Sequence, residues 1–104
     1  MSLKEIQKHV DLWTSQFKPQ YWQPLEIMTR LSEEVGELAR EINHRWGPKQ
    51  KKSTEDKKEL EDEISDVIFT LCCLANSQGI DLEKSWNKKL KITSERDKNR
   101  FQKR

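Results

Sequence analysis

Two pairs of acidic residues are spaced for chemistry. Glu34 and Glu37 lie three residues apart, and so do Glu63 and Asp66. On a helix this spacing puts both carboxylates of a pair on neighbouring turns of one face. The pairs are separated by 25 residues, enough for a helix end, a connection and a return. Two antiparallel helices could therefore bring four carboxylates to one spot. Carboxylates that converge in this way repel one another and cannot all stay ionised without a cation. Hard oxygen donors of this kind suit Mg²⁺, with Mn²⁺ as a substitute. The stretch from Val67 to Ala75 that follows Asp66 is apolar nearly all round, which predicts burial on every side. No Lys or Arg lies within a turn of Asp66. A carboxylate leading into such a region needs a partner, and a metal ion would be one. Taken singly, each pair also fits an ordinary solvated helix face.

Four helical segments must position these groups. Leu3, Ile6, Val10, Trp13 and Phe17 recur at spacings of three and four, which predicts a first helix from Leu3 to Phe17. Lys18-Pro19 ends it, and Gln20 to Gln23 makes a turn carrying Tyr21 and Trp22. A second helix is expected from Pro24 to His44, with Met28, Leu31, Val35, Leu38 and Ile42 as one apolar stripe. Gly36, within that helix, suggests close approach of another helix or a ligand. Gly47-Pro48 closes the segment, and Pro48 to Lys52 reads as a basic linker. Ser53 and Thr54 are plausible caps, with Glu55 and Asp56 placed well in a first turn. The third helix is expected from about Glu55 to Gln78, stopped by Gly79. Asp81 caps a fourth, from Leu82 to Arg96 or beyond. The fold class is all-α, a single-domain bundle of about four helices with an antiparallel central pair carrying the carboxylates.

Composition narrows the function classes. The chain has 104 residues, 33% hydrophobic and 37% charged, with a formal net charge of +2. So small and polar a chain suggests that a partner subunit completes the core. The near balance of charge disfavours a nucleic-acid polymer as ligand. The apolar run Val67–Ala75 is far too short to span a bilayer, and no signal-like segment opens the sequence. Cys72 and Cys73 are adjacent, which is neither a disulfide framework nor zinc spacing. They read as small buried apolar residues, in keeping with a reducing cytoplasm.

Glu34-Val-Gly-Glu37-Leu-Ala, followed by Glu63-Ile-Ser-Asp66-Val, resembles the ExxE…ExxD signature of the MazG-like nucleotide pyrophosphohydrolases, members of the all-α nucleoside triphosphate pyrophosphatase superfamily. Residues Phe17 to Leu31, Asn43 to Gly47 and Arg96 to Phe101 look like those of the small single-domain bacterial members. The likeness covers about residues 3 to 101. It implies a helical bundle assembled as a homodimer, often a dimer of dimers. It also implies Mg²⁺-dependent hydrolysis of a nucleoside triphosphate, usually a deoxynucleotide or an aberrant one, to monophosphate and pyrophosphate. By position, Glu34, Glu37, Glu63 and Asp66 would be the metal ligands. Glu33 and Glu34 would be the catalytic pair, Glu33 orienting or deprotonating a water.

Such a reaction needs little beyond positioning and charge neutralisation, but it does need cations for the phosphates. Lys91, Arg96, Lys98 and Arg100 are the candidates, with Lys49, Lys51 and Lys52 as a second set; a solvated basic face is the alternative. The resemblance places the neighbourhood of His44 at the nucleobase pocket, although a histidine at a helix C-terminus is also favoured by the dipole alone. Tyr21, Trp22 and Trp46 lie in turns, where a base could stack or a second subunit could dock, while Trp13 and Phe17 read as core. Two other function classes stay open: a helical protein-interaction module, and a nucleic-acid binder using Lys88 to Arg104. Among enzymes, a phosphoribosyl-ATP pyrophosphohydrolase shares the same carboxylate logic.

Overall fold

A computed structural model describes residues 1–49 and 59–104, which form four helices: α1 (Leu3–Thr14), α2 (Pro24–Trp46), α3 (Leu60–Ser77) and α4 (Leu82–Asp97). There is no strand among the described residues. None of their helices is long and apolar enough to cross a membrane.

Local chemistry sets the helix ends. Ser2 and Glu5 form a reciprocal capping box, the Glu5 amide donating to Ser2 Oγ at 3.1 Å and the Ser2 amide to Glu5 Oε1 at 3.2 Å. Helix α1 stops at Thr14 rather than at the expected Phe17. There the Gln16 and Phe17 amides turn back to the carbonyls of Trp13 and Thr14, three residues away, which tightens the chain out of α geometry. Pro24 opens α2 after Gln23, whose amide is capped by Glu26. Helix α2 runs two residues further than expected, to Trp46, and Gly47 closes it with a 2.8 Å bond to the Asn43 carbonyl. A Cβ at position 47 would collide with Asn43, so only glycine fits there. Glu59 caps the described start of α3 with Asp62. The expected caps Ser53 and Thr54 and the first turn at Glu55 and Asp56 lie outside the described residues. Gly79 ends α3 at φ +67°, and the Ile80 amide reaches back to the Ala75 carbonyl at 2.9 Å, the left-handed stop that favours glycine. Asp81 caps α4 through the Lys84 amide.

Helices α2 and α3 share the largest interface; α1 packs on α3, and α4 on α1. Arg45, near the end of α2, bonds Glu59, just before α3, at 2.6 Å, so the two run antiparallel as expected. The Gln7 side chain joins α1 to the α3–α4 turn. Its Nε2 donates to the Ile80 carbonyl at 2.8 Å and to Asn76 Oδ1 at 2.9 Å, while its Oε1 accepts from the Leu82 amide at 2.8 Å.

The interior departs from the stripe expected on α2. Met28, Val35 and Ile42 are 51%, 47% and 44% exposed, whereas Ile27, Glu34 and Glu41 are buried. Leu31 and Leu38 are half-buried. The inward face is therefore Ile27, Leu31, Glu34, Leu38 and Glu41, and the seven-residue series Met28–Val35–Ile42 faces out. Val67 to Ala75 is not enclosed either. Cys72 and Ala75 are buried, but Ile68, Phe69 and Leu71 are exposed, because the helices packed on α3 leave one side of it open. A Cβ at Gly36 would meet nothing within 4 Å, so the expected close approach does not occur within the protomer. The radius of gyration is 17.2 Å, against about 13 Å for a compact domain of this length.

Candidate metal centre and its cavity

The antiparallel pairing of α2 and α3 brings both acidic pairs together. Glu34, Glu37, Glu63 and Asp66 each offer one carboxylate oxygen, and these atoms lie within 4.8 Å of one another. Glu34 and Glu63 are buried, Asp66 is half-buried and Glu37 is exposed. The cluster thus runs from the helix interface to solvent, which leaves a route in. Opposed oxygens on a Mg²⁺ ion stand about 4.2 Å apart, so this donor set fits such an ion with little contraction. The cluster contains oxygen ligands only, the preference of Mg²⁺, Mn²⁺ or Ca²⁺ rather than zinc.

Arg30, one turn before Glu34, places Nη2 2.7 Å from Glu34 Oε1 and Nη1 3.3 Å from Glu33 Oε2. Glu33 itself is exposed and does not line the adjoining cavity.

That cavity has a volume of about 810 Å³, and Glu34, Asp66 and Arg30 are among the residues that line it. Trp13, Phe17, Tyr21, Trp22 and Phe69 supply aromatic surface. Trp13 packs against Phe17 at 5.0 Å between ring centroids and edge-on against Phe69 at 5.7 Å. Thr70 and Cys73 complete the α3 side. Burial, with the neighbouring Cys72 adding to it, pushes the Cys73 thiol up to about 11, the setting of an inert thiol. The turn between α1 and α2 is held by Tyr21 and Gln20, both bonded to Asp11 Oδ1, at 2.6 and 3.0 Å.

The other expected site residues lie elsewhere. His44 is buried and Trp46 is 71% exposed, and neither lines the cavity. Lys91, Arg96, Lys98 and Arg100 do not line it either. Arg96 bonds Asp97 at 2.9 Å and Arg100 bonds it at 3.4 Å, while Lys98 reaches Glu95 at 3.0 Å. The bond from Arg96, helped by that from Arg100, holds the Asp97 carboxyl below its ordinary range. Lys49 is exposed, and Lys51 and Lys52 lie outside the described residues. Arg30, Lys18, Phe69 and Thr70 were missed as cavity residues, and Trp13 and Phe17, read as core, form part of its wall. Spacing carried a signal for some of them. Arg30 is one turn from Glu34, and Phe69, Thr70 and Cys73 follow Asp66 at three, four and seven residues, along its own face.

A sequence model of the MazG nucleotide pyrophosphohydrolase domain matches residues 23–101. The chain is 52% identical over 100 residues to YpjD of Bacillus subtilis (strain 168), covering 96% of this chain and 90% of YpjD. The crystal structure of YpjD, a protein provisionally described as a pyrophosphatase, superposes with a TM-score of 0.79 over 88% of this chain and 94% of that one. The crystal structure of a Bacillus-conserved MazG protein, described as a nucleotide pyrophosphohydrolase, is 43% identical and gives a TM-score of 0.80 over 96% of this chain and 97% of that one.

Proposed function

The chain belongs to the MazG nucleotide pyrophosphohydrolase family, and on that premise we propose that it hydrolyses nucleoside triphosphates, deoxynucleotides foremost, to monophosphate and pyrophosphate with Mg²⁺ as cofactor and Mn²⁺ as a substitute. The observation that carries this reading is the meeting of four carboxylates, two of which, Glu34 and Asp66, line an aromatic-walled cavity. Glu34, Glu37, Glu63 and Asp66 would hold the ion. When bound, a divalent cation supplies activation of the attacking water and neutralisation of phosphate charge. The protein's own part is to orient and enclose. Trp13, Phe17, Tyr21 and Phe69 offer faces and edges on which any base stacks. Glu33, exposed beside the cluster, is the remaining candidate for handling the proton of the water.

The whole chain reads as one domain acting within a homodimer or a dimer of dimers. Supporting this are the exposed apolar residues Met28, Val35 and Ile42 on α2 and Ile64, Ile68 and Leu71 on α3, more surface than a lone monomer ordinarily leaves open. A cytoplasmic role in clearing the nucleotide pool suits the substrate class and the free cysteines. The test is pyrophosphate release across a panel of ribo- and deoxyribonucleoside triphosphates, with Mg²⁺ or with chelator. Turnover of at least one triphosphate, abolished by chelator and by Asp66→Asn, is expected. A folded wild-type protein that turns over none of them overturns the reading.

A further inference from the structure

We propose that Arg30 is an exchange counter-ion: it neutralises Glu34 while the carboxylate cluster holds no cation, and it turns to the triphosphate chain of the substrate once a cation engages Glu34. This rests on the pyrophosphohydrolase reading above.

Three observations support it. First, Arg30 and Lys18 supply the Lys and Arg charge in the cavity wall, and of the two Arg30 contacts the carboxylate cluster. Second, none of the late basic candidates Lys91, Arg96, Lys98 and Arg100 lines the cavity, and three of them pair at the end of α4, Arg96 and Arg100 with Asp97 and Lys98 with Glu95. Third, the pair joins unlike environments. The Glu34 side chain is 4% exposed and the Arg30 side chain 48%. A solvent-side guanidinium has turned inward to a buried carboxylate.

The charge arithmetic favours an exchange. Four carboxylates held together are costly unless positive charge offsets them. Arg30 supplies part of that charge in the protein alone. When a divalent cation draws on Glu34, the guanidinium becomes surplus at that carboxylate. It remains planar and always protonated, and it lies half-exposed at the cavity wall beside the cluster. A pair of phosphate oxygens is a bidentate partner that its fork matches. Arg30 thus serves both states of the site, offsetting Glu34 in one and meeting phosphate in the other.

The test uses Arg30→Gln and Arg30→Lys in the full chain, with circular dichroism to verify folding. Calorimetric titration of Mn²⁺ into nucleotide-free protein reads the first half of the exchange. Arg30→Gln is expected to bind the ion several-fold more tightly than wild type, because a competitor for Glu34 has gone. Steady-state kinetics read the second half. The KM for a triphosphate should rise about 10- to 100-fold in Arg30→Gln, the loss of one charge-assisted contact. The Kd of the corresponding nucleoside, which lacks phosphates, should be unchanged. Arg30→Lys, with the charge but not the fork, should fall between. Unchanged Mn²⁺ affinity and KM in Arg30→Gln would mark the pair as a plain helix-surface contact and overturn the proposal. Weaker Mn²⁺ binding in that variant would make Arg30 a structural prop for Glu34 and overturn it as well. If wild type neither binds Mn²⁺ nor turns over any triphosphate, the pyrophosphohydrolase reading itself fails, a result distinct from either of these.

Discussion

The Tyr21 hydroxyl donates a 2.6 Å hydrogen bond to Oδ1 of Asp11 while accepting one of 3.1 Å from Asn76 Nδ2. Asn76 also bonds Gln7. One phenol therefore ties the turn after α1 to α1 itself and to the end of α3. Because Tyr21 also lines the cavity, this tie sets where the aromatic wall stands relative to the carboxylates.

Tyr21→Phe keeps the ring and removes the tie. The variant should lose up to about 1 kcal/mol of unfolding free energy and raise KM more than it lowers kcat. Burial first, and then the bond to Asp11, raise the phenol above its ordinary value of 10.0. A raised phenol binds its proton more tightly in the folded state. Its stabilising effect is complete below pH 10 and fades as pH climbs through the higher folded value. Urea melts in this alkaline range should show the wild-type advantage over Tyr21→Phe shrinking as pH rises.

Glu63→Gln should cut turnover by at least about 100-fold, since it removes a buried member of the carboxylate cluster proposed to hold the metal. In chelator the same variant should melt no lower than wild type, because one of four repelling charges has gone. Saturating Mg²⁺ should raise the melting temperature of wild type and leave the variant nearly unmoved. Differential scanning calorimetry with and without the ion checks both statements.

Cys73 lines the cavity, yet with its thiol pushed up to about 11 only about one molecule in a thousand carries a thiolate at pH 8. Alkylation by iodoacetamide should be slow at that pH and accelerate steeply as pH approaches 11. A bound nucleotide should slow it further. Mass spectrometry of timed samples, with fragment ions that break between the adjacent Cys72 and Cys73, assigns the alkylated thiol, and Cys73→Ala should retain turnover.

Val35→Glu places a charge in the middle of the outward series Met28, Val35 and Ile42. Val35 is 47% exposed in the protomer and has little packing there to lose, so circular dichroism should remain helical. Light scattering should report a smaller assembly than wild type. An unchanged mass would mean that this face stays in water.

The helix count, the glycine stop at Gly79, the Asp81 cap and the convergence of Glu34, Glu37, Glu63 and Asp66 were all legible in the sequence, because each depends on local spacing or on a single side chain's backbone chemistry. The phase of α2 was less so. Met28, Val35 and Ile42 carry the same periodicity whether a stripe meets its own core or another surface, and spacing says nothing about which. Burial of Glu34 in place of an apolar residue follows from the site, where polar groups occupy the interior, while Glu41 is buried against Arg45. Trp13 and Phe17 were read as core and instead wall a cavity, Phe17 from beyond the end of α1, since a cavity and a core look alike in one dimension. Arg30 escaped notice because an arginine one turn from a glutamate is ordinary on any helix. Its meaning depends on Glu34 being buried.

Helix α4 has no buried residue, and its root is clasped by the Gln7 amide through Ile80 and Leu82. Sixteen residues make a rod of about 24 Å, so a tilt of roughly 10° at the clasp swings the Asp97 end by about 4 Å. The side chain that anchors this rod, Gln7 on α1, is uncharged and meets α4 at its first residue, Leu82, whereas Arg96 and Asp97 sit at the far end. Gln7 is thus the fulcrum of a lever, and a change of one atom in its amide would be magnified at a tip it never touches.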